Sequence, residues 1–285
     1  RATSEVEQFG TDLVHQITGK PVNPTPAWFK LLWLQKHEPE TMKRVAKIAD
    51  VAAFLNNRLT GLWVTSYGSA DPLGVIDMST FDYSEELLEI AGLRREQFST
   101  LVAPGAVIGT VTDEVAEYLG VPKGLPVIAG VGDGQSAQLG TGAVTSGTYY
   151  LNLGSGVVSG TIADTYAFDK SFRVLSAGIA GKYTFETFIG GGTFNLQWFI
   201  DKFAGVDTKA LGLELSPEQV LETAAAQLPP GSEGLMALPY WTGALTPFWD
   251  YHAKGALIGF TGRHGKSHVY RAMLEGIAFE QRFLT

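Results

Sequence analysis

The chain has 285 residues, enough for one large domain or two ordinary ones at about 150 residues each, and its 45% apolar and 18% charged content describes a chain with a sizeable core rather than a disordered one. It has no Cys, which excludes disulfides, thiolate nucleophiles and zinc–thiolate sites and fits a reducing compartment such as the cytoplasm. With 21 basic against 29 acidic side chains the formal charge is -8, which argues against a broad phosphate-tracking surface for DNA or RNA but leaves room for a small anionic ligand, and no apolar run is long enough to span a bilayer.

The first element reads as a helix, with Val6, Phe9, Leu13 and Ile17 at three- and four-residue spacing. Asn23-Pro24-Thr25-Pro26 is a stiff turn, and Ala27–His37, Pro39–Ala49 and Val51–Leu59 follow as helices, the last stopped by Gly61. Thr112 caps a short helix that ends at Gly120. Leu125–Val131 is an apolar run bounded by Gly and Pro, the pattern of a buried strand, and a helix-compatible run, Gln135–Leu139, comes next. Thr148–Leu153 and Val157–Ile162 read as strands joined by Gly154-Ser155-Gly156, and Val174–Ile179 and Tyr183–Ile189 as a hairpin turning at Gly181-Lys182. Phe194–Phe203 is a helix, Ser216-Pro217 opens another, and Ser267 caps a final one with Val269, Met273, Ile277 and Leu284 on its apolar face. No internal repeat or low-complexity linker is evident, and residues 141–146 are the expected domain junction.

The 34 Gly are unevenly placed, with six in residues 1–100, eighteen in 101–200 and ten in 201–285. Three motifs in the rich stretch carry candidate chemistry. Asp133 stands between two Gly, after an apolar run and before a helix, where a carboxylate can accept a proton from a substrate hydroxyl; local sequence alone favours a plain helix cap. Gly154-Ser155-Gly156 is either a phosphate-binding turn or an ordinary hairpin, and Gly190-Gly191-Gly192-Thr193 is either an anion site at a helix start or a loop. Gly265-Lys266-Ser267 resembles the end of a Walker A loop, but that motif needs Gly where Phe260 stands. The His residues at 15, 37, 252, 264 and 268 show no metal-ligand spacing, and no residue is assigned to a metal. The aromatic-rich run Tyr240–Asp250 is either a pocket wall or a core loop.

Taken in order, these motifs resemble the FGGY family of carbohydrate kinases, relatives of actin, hexokinase and the heat-shock chaperone ATPases. Lys30 and Trp33 are similar to the first family signature, although Ala27 stands where Pro, Ser or Thr is expected. Arg58–Gly61 resembles a family helix end, Gly130–Ala137 the segment with the catalytic Asp, and Leu153–Gly156 the second phosphate loop. Gly255–Phe260 followed by His268–Glu275 resembles the second signature.

The resemblance implies an α/β, actin/hexokinase-like (ribonuclease H-like) two-lobed kinase fold, with 1–143 in the N-terminal lobe and 144–285 in the C-terminal lobe. Family members also carry a first phosphate loop before the position of Arg1 and an adenosine-binding segment beyond the last helix, so the chain is expected to be the middle of a kinase. The implied reaction is ATP-dependent phosphorylation of a sugar hydroxyl with Mg²⁺, with a ketopentose such as D-xylulose as first choice. Glycerol or another polyol, or a non-catalytic actin-like module, are the alternatives. By resemblance Asp133 is the general base; Gly154, Ser155, Gly192, Thr193 and Gln197 meet the nucleotide; Trp63 and Tyr67 neighbour the sugar. The implied partners are a sugar and ATP, without nucleic acid or membrane, in the cytoplasm, with a homodimer as the one assembly considered.

Overall fold

The computed structural model describes residues 11–206 and 214–285. The chain forms two compact units, one from Arg1–Tyr150, Gly160–Asp169 and Arg173–Glu186, the other from Leu151–Ser159, Lys170–Phe172 and Thr187–Thr285. Neither is a single stretch of sequence.

In the first unit, α1 spans Thr11–Thr18, so Val6 and Phe9 of the expected opening helix lie outside the described residues. Helix α2 (Ala27–His37) buries Trp28, Phe29 and Leu32. The Trp28 indole N–H donates to the Leu87 carbonyl at 2.9 Å, so a large ring is removed from water without orphaning its polar atom. Helix α3 runs only over Pro39–Lys43, not to Ala49 as the pattern predicts. Beyond it the backbone turns to a partner distant in sequence: Ile48 N–H donates to the Gln97 carbonyl at 2.7 Å, and the Gln97 amide donates to Val45 O at 3.0 Å. Asp50 is thereby left extended and caps α4 (Val51–Thr60) through Ala53 N–H at 2.9 Å, while Gly61 closes that helix at φ 77°.

The next fifty residues hold short pieces: β1 (Val64–Ser66), α5 (Tyr67–Ala70), β2 (Ile76–Asp77), β3 (Asp82–Tyr83), α6 (Glu85–Ile90), β4 (Thr100–Val102) and β5 (Val107–Thr110). Strand β1 pairs parallel with β4, and β2 antiparallel with β3. Helix α7 (Asp113–Leu119) sits between its Thr112 cap and left-handed Gly120, as the sequence predicts. The apolar run 125–131 departs from expectation. Only Pro126–Ile128 forms a strand, β6, antiparallel to β5, and Leu125 and Ile128 are 40% and 50% exposed. A two-stranded ladder cannot cover both faces of a strand.

Helix α8 (Asp133–Gly140) follows, then β7 (Tyr149–Leu153), β8 (Val157–Ala163), β9 (Arg173–Ser176) and β10 (Tyr183–Ile189). These four strands form one sheet in the order β7-β8-β10-β9, with β9 and β10 the antiparallel hairpin expected. Helix α8 meets β10 through Gly134 and Gln138, four apart on one helix face, and Thr184 and Glu186, two apart on one strand face. Thr184 Oγ1 donates to Gln138 Oε1 at 2.5 Å, and a Cβ on Gly134 would stand 3.1 Å from Glu186 Oε1.

In the second unit, α9 (Thr193–Phe199) runs into a π-helical turn, Ile200–Ala204, ended by Gly205 at φ 56°. Helix α10 (Pro217–Ala226) starts with a reciprocal Ser216–Gln219 box, the cap its sequence announces. Strands β11 (Met236–Leu238) and β12 (Ala256–Ile258) pair antiparallel and pack with α11 (Lys266–Leu284). The core gathers Phe199, Leu221, Leu235, Tyr270 and Met273. Gly276 lets α11 lie on β11, since a Cβ there would meet the Ala237 carbonyl oxygen at 2.4 Å. Gly265, not Ser267, caps α11, and His268 Nδ1 reaches back from the first turn to accept the Gly265 N–H at 3.1 Å.

Candidate active site

Asp133 is the first residue of α8, and the cap position belongs to Gly132 (φ −67°, ψ 168°). The aspartate is therefore not the plain cap that local sequence favours. Its carboxylate is exposed and accepts the N–H of Gly134 at 2.8 Å. One such bond leaves lone pairs open to a hydroxyl proton. The turn before it is held by side chains from β1 and α5, Ser66 Oγ donating to Gly130 O at 2.5 Å and Ser69 Oγ to the same carbonyl at 3.2 Å, and α8 is tied back to α5 by Gln135 Nε2, which donates to Gly68 O at 3.5 Å. Ser66 and Ser69 escaped the sequence reading, because no local spacing links Ser66 to a carbonyl 64 positions away.

Tyr67, between Ser66 and Gly68, belongs to the same neighbourhood. Its hydroxyl accepts Gly181 N–H at 3.0 Å, and its ring stacks on Phe81 at 4.6 Å. Phe81 has φ 56°, a left-handed conformation strained for a bulky residue. Tyr67 and Phe81 line a cleft of about 830 Å³ with Tyr83 and Arg95. Asp133 is not on its wall, so this cleft does not carry the functional reading. Trp63 is half-buried, and its carbonyl accepts Thr100 N–H at 2.9 Å.

In the second unit the structure brings four of the predicted residues together. Gly192 N–H donates to Ser155 O at 2.8 Å, and Thr193 N–H to Gly154 O at 2.9 Å. The start of α9 is thus bonded to the turn between β7 and β8. Those two N–H groups are used inside the protein, as is that of Gly154, which donates to Gly156 O at 3.1 Å. Gly156 is required by packing, since a Cβ there would stand 2.5 Å from the Phe188 ring. Gly154 is not: a Cβ would meet only Gly156 O at 3.4 Å and Asn152 Oδ1 at 3.6 Å. Ser155 is exposed, and its hydroxyl has no partner among the described residues. A turn with an open face at Gly154 and a free hydroxyl at Ser155 fits a phosphate chain. Gln197, one turn further along α9, donates its amide to Asp201 at 2.8 Å. Among the described residues no group of three or more His, Asp or Glu is placed to hold a metal ion.

Comparison with solved structures defines the class. Xylulose kinase from Rhodospirillum rubrum superposes with a TM-score of 0.89 at 26% identity over 99% of this chain and 57% of its own. Gluconate kinase from Lactobacillus acidophilus does so with a TM-score of 0.88 at 27% identity over 98% of this chain and 56% of its own. The fold is the α/β, actin/hexokinase-like fold of two-domain sugar kinases, as the motifs implied. The model of the FGGY family of carbohydrate kinases, N-terminal domain, matches residues 2–140, and that of its C-terminal domain residues 149–284. The chain belongs to the FGGY family of carbohydrate kinases. Gluconokinase of Bacillus subtilis (strain 168) is 28% identical over 96% of this chain, and xylulose kinase of Lactococcus lactis subsp. lactis (strain IL1403) 31% identical over 89%. The chain spans about half the length of the curated relatives it matches, 54% and 49% for these two. No helix among the described residues is long and apolar enough to cross a membrane.

Proposed function

We propose that the protein containing this chain transfers the γ-phosphoryl group of ATP to a sugar hydroxyl, with Asp133 as general base. The observation that carries the reading is the state of Asp133: an exposed carboxylate on the first residue of α8, accepting one N–H, in the segment matched by the family model. In this reading the Asp133 carboxylate takes the proton as the sugar oxygen attacks phosphorus and the bond to the β-phosphate oxygen breaks. A base so placed contributes about 10²- to 10⁴-fold. The Ser155 hydroxyl donates to a phosphate oxygen, the bare Gly154 lets the chain approach, and Mg²⁺ would accompany ATP and neutralise its phosphates. Gly192 and Thr193 act by fixing that turn through their N–H groups, and Gln197 is kept as a nucleotide neighbour on resemblance alone. Trp63 and Tyr67 neighbour the sugar.

A ketopentose such as D-xylulose is the first proposed acceptor, on the likeness to xylulose kinases. Gluconate is the second, because gluconate kinases stand equally near in sequence and fold. The lobes divide at residues 143/144, and the enzyme works in the cytoplasm with ATP and sugar as its partners; a homodimer is the one assembly considered. ADP release by the full-length protein with D-xylulose, D-ribulose, D-gluconate and glycerol tests the reading. Rapid release with one acceptor supports it; ATP binding without release for any acceptor points to a nucleotide-binding module.

A further inference from the structure

Beneath Asp133 lies a buried ionic cluster that the reaction as described does not use. Glu186 on β10 is 1% exposed and stands directly opposite Arg173 on β9 in the antiparallel register. Its Oε2 is ion-paired with the Arg173 guanidinium. Its Oε1 accepts the Tyr150 hydroxyl at 2.5 Å. Tyr150 is on β7, and β8 lies between it and β10. Gly160 on β8 makes the crossing possible, because a Cβ there would stand 2.9 Å from the Tyr150 ring. Glu186 Oε1 also sits 3.1 Å from where a Cβ on Gly134 would be, directly under the first turn of α8. Burial and then the Glu186 carboxylate push the Tyr150 hydroxyl above its ordinary range, and the Asp133 charge adds to the push. Tyr150 therefore remains a donor to Glu186.

Burying a carboxylate needs a reason, since an apolar side chain would fill the space without desolvation cost. We propose that Glu186, balanced by Arg173 and oriented by Tyr150, is a positioning residue for Asp133. It supports the turn from below and keeps the net charge under the base near zero. The inference rests on the reading of Asp133 as the base. The charged and titratable groups involved are Arg173 from β9, Tyr150 from β7 and Asp133 on α8 itself; Asp71, paired with Lys20, also lies in the field of Arg173.

The test uses the full-length protein and the acid limb of its kcat/KM–pH profile. Glu186→Gln leaves the Arg173 charge unbalanced, favours the ionised base and moves the limb to lower pH. Arg173→Met leaves the Glu186 charge unbalanced and moves it to higher pH. Shifts of about 0.5 unit or more in opposite directions are expected, with kcat reduced and KM for ATP unchanged. Limbs that stay fixed, or that move the same way, overturn the proposal. Tyr150→Phe removes one hydroxyl and keeps both charges, so it reads the orienting role even if a charge variant does not fold. It should lower kcat several-fold at unchanged KM for ATP, and wild-type kcat would count against the proposal. Asp133→Asn separates this from the parent reading. Turnover surviving in that variant removes the base itself, whereas turnover lost there with fixed limbs in the charge variants removes only the role of Glu186.

Discussion

The N–H of Gly192 donates to the carbonyl of Ser155 at 2.8 Å, and a Cβ built on Gly192 would stand 2.6 Å from the carbonyl oxygen of Gly154. The start of α9 and the Gly154–Gly156 turn therefore form one backbone unit with no room for a methyl group. Gly192→Ala meets backbone rather than a flexible side chain, so α9 or the turn must shift, at about 1–3 kcal/mol. If that turn carries the phosphate chain, ATP affinity of the full-length protein should fall at least ~10-fold by titration calorimetry. Unchanged affinity would detach the turn from the nucleotide.

Ser155→Ala probes the same turn without disturbing it. The hydroxyl is exposed and has no partner among the described residues, so thermal stability should stay unchanged. A hydrogen bond to a charged oxygen contributes about 1.5–3 kcal/mol, so ATP affinity should fall by roughly 10- to 100-fold. A loss of stability without loss of affinity would mark the turn as an ordinary hairpin.

Helices with local punctuation were legible in the sequence: Gly61 ends α4, Thr112 and Gly120 bracket α7, and Ser216-Pro217 opens α10. The helix expected over Pro39–Ala49 was over-read because Gln97, far along the chain, claims the backbone of Val45 and Ile48. The strands between Gly61 and Val111 were not read at all, since two- to four-residue strands carry too few alternations to show a period. For the candidate site, the sequence marked Asp133 and the Ser155 turn, but not what holds them. Ser66, Tyr150, Arg173 and Glu186 act across long separations, and nothing in their neighbours' spacing announces it. Gly156 is instructive in the other direction: its packing against Phe188 is reason enough for glycine there, whereas Gly154 has no such reason among the described residues.

Lys20 and Asp71 form a buried ion pair in the first unit. Lys20 Nζ also donates to Thr18 O at 3.1 Å and Val174 O at 3.0 Å, and Asp71 Oδ2 accepts Ser176 N–H at 3.3 Å. Burial raises the Asp71 carboxyl above its ordinary range against the pull of Lys20. Lys20→Met alone should cost about 3–5 kcal/mol by leaving that carboxylate uncompensated, while Lys20→Met with Asp71→Leu should come near the parent in denaturant unfolding. A double variant as unstable as the single one would show that the pair contributes net stability.

Alkaline pH should unfold the chain. Burial, reinforced by Asp50, Glu186 and Asp77 respectively, pushes the hydroxyls of Tyr83, Tyr150 and Tyr166 well above their ordinary range; burial with Glu280 pushes Tyr240 up to about 12. A raised folded value means the fold favours the neutral phenol. That stabilisation is complete below the unfolded value near pH 10 and is lost as pH rises through the raised values. The melting temperature should therefore fall steadily above about pH 10, with part of the phenolate absorbance appearing only on unfolding. Ionisation of all ten Tyr in one step near pH 10, with the folded signal intact, would contradict it.

The role of Asp133 is tested most directly by Asp133→Asn in the full-length protein, measured as ADP released with the best acceptor sugar at saturating ATP. Asn keeps the size of the side chain on the first residue of α8 and removes the proton acceptor. Turnover should fall at least ~10²-fold while ATP affinity stays within a few-fold of the parent. Near-normal turnover in the variant would contradict the account and remove Asp133 as the base.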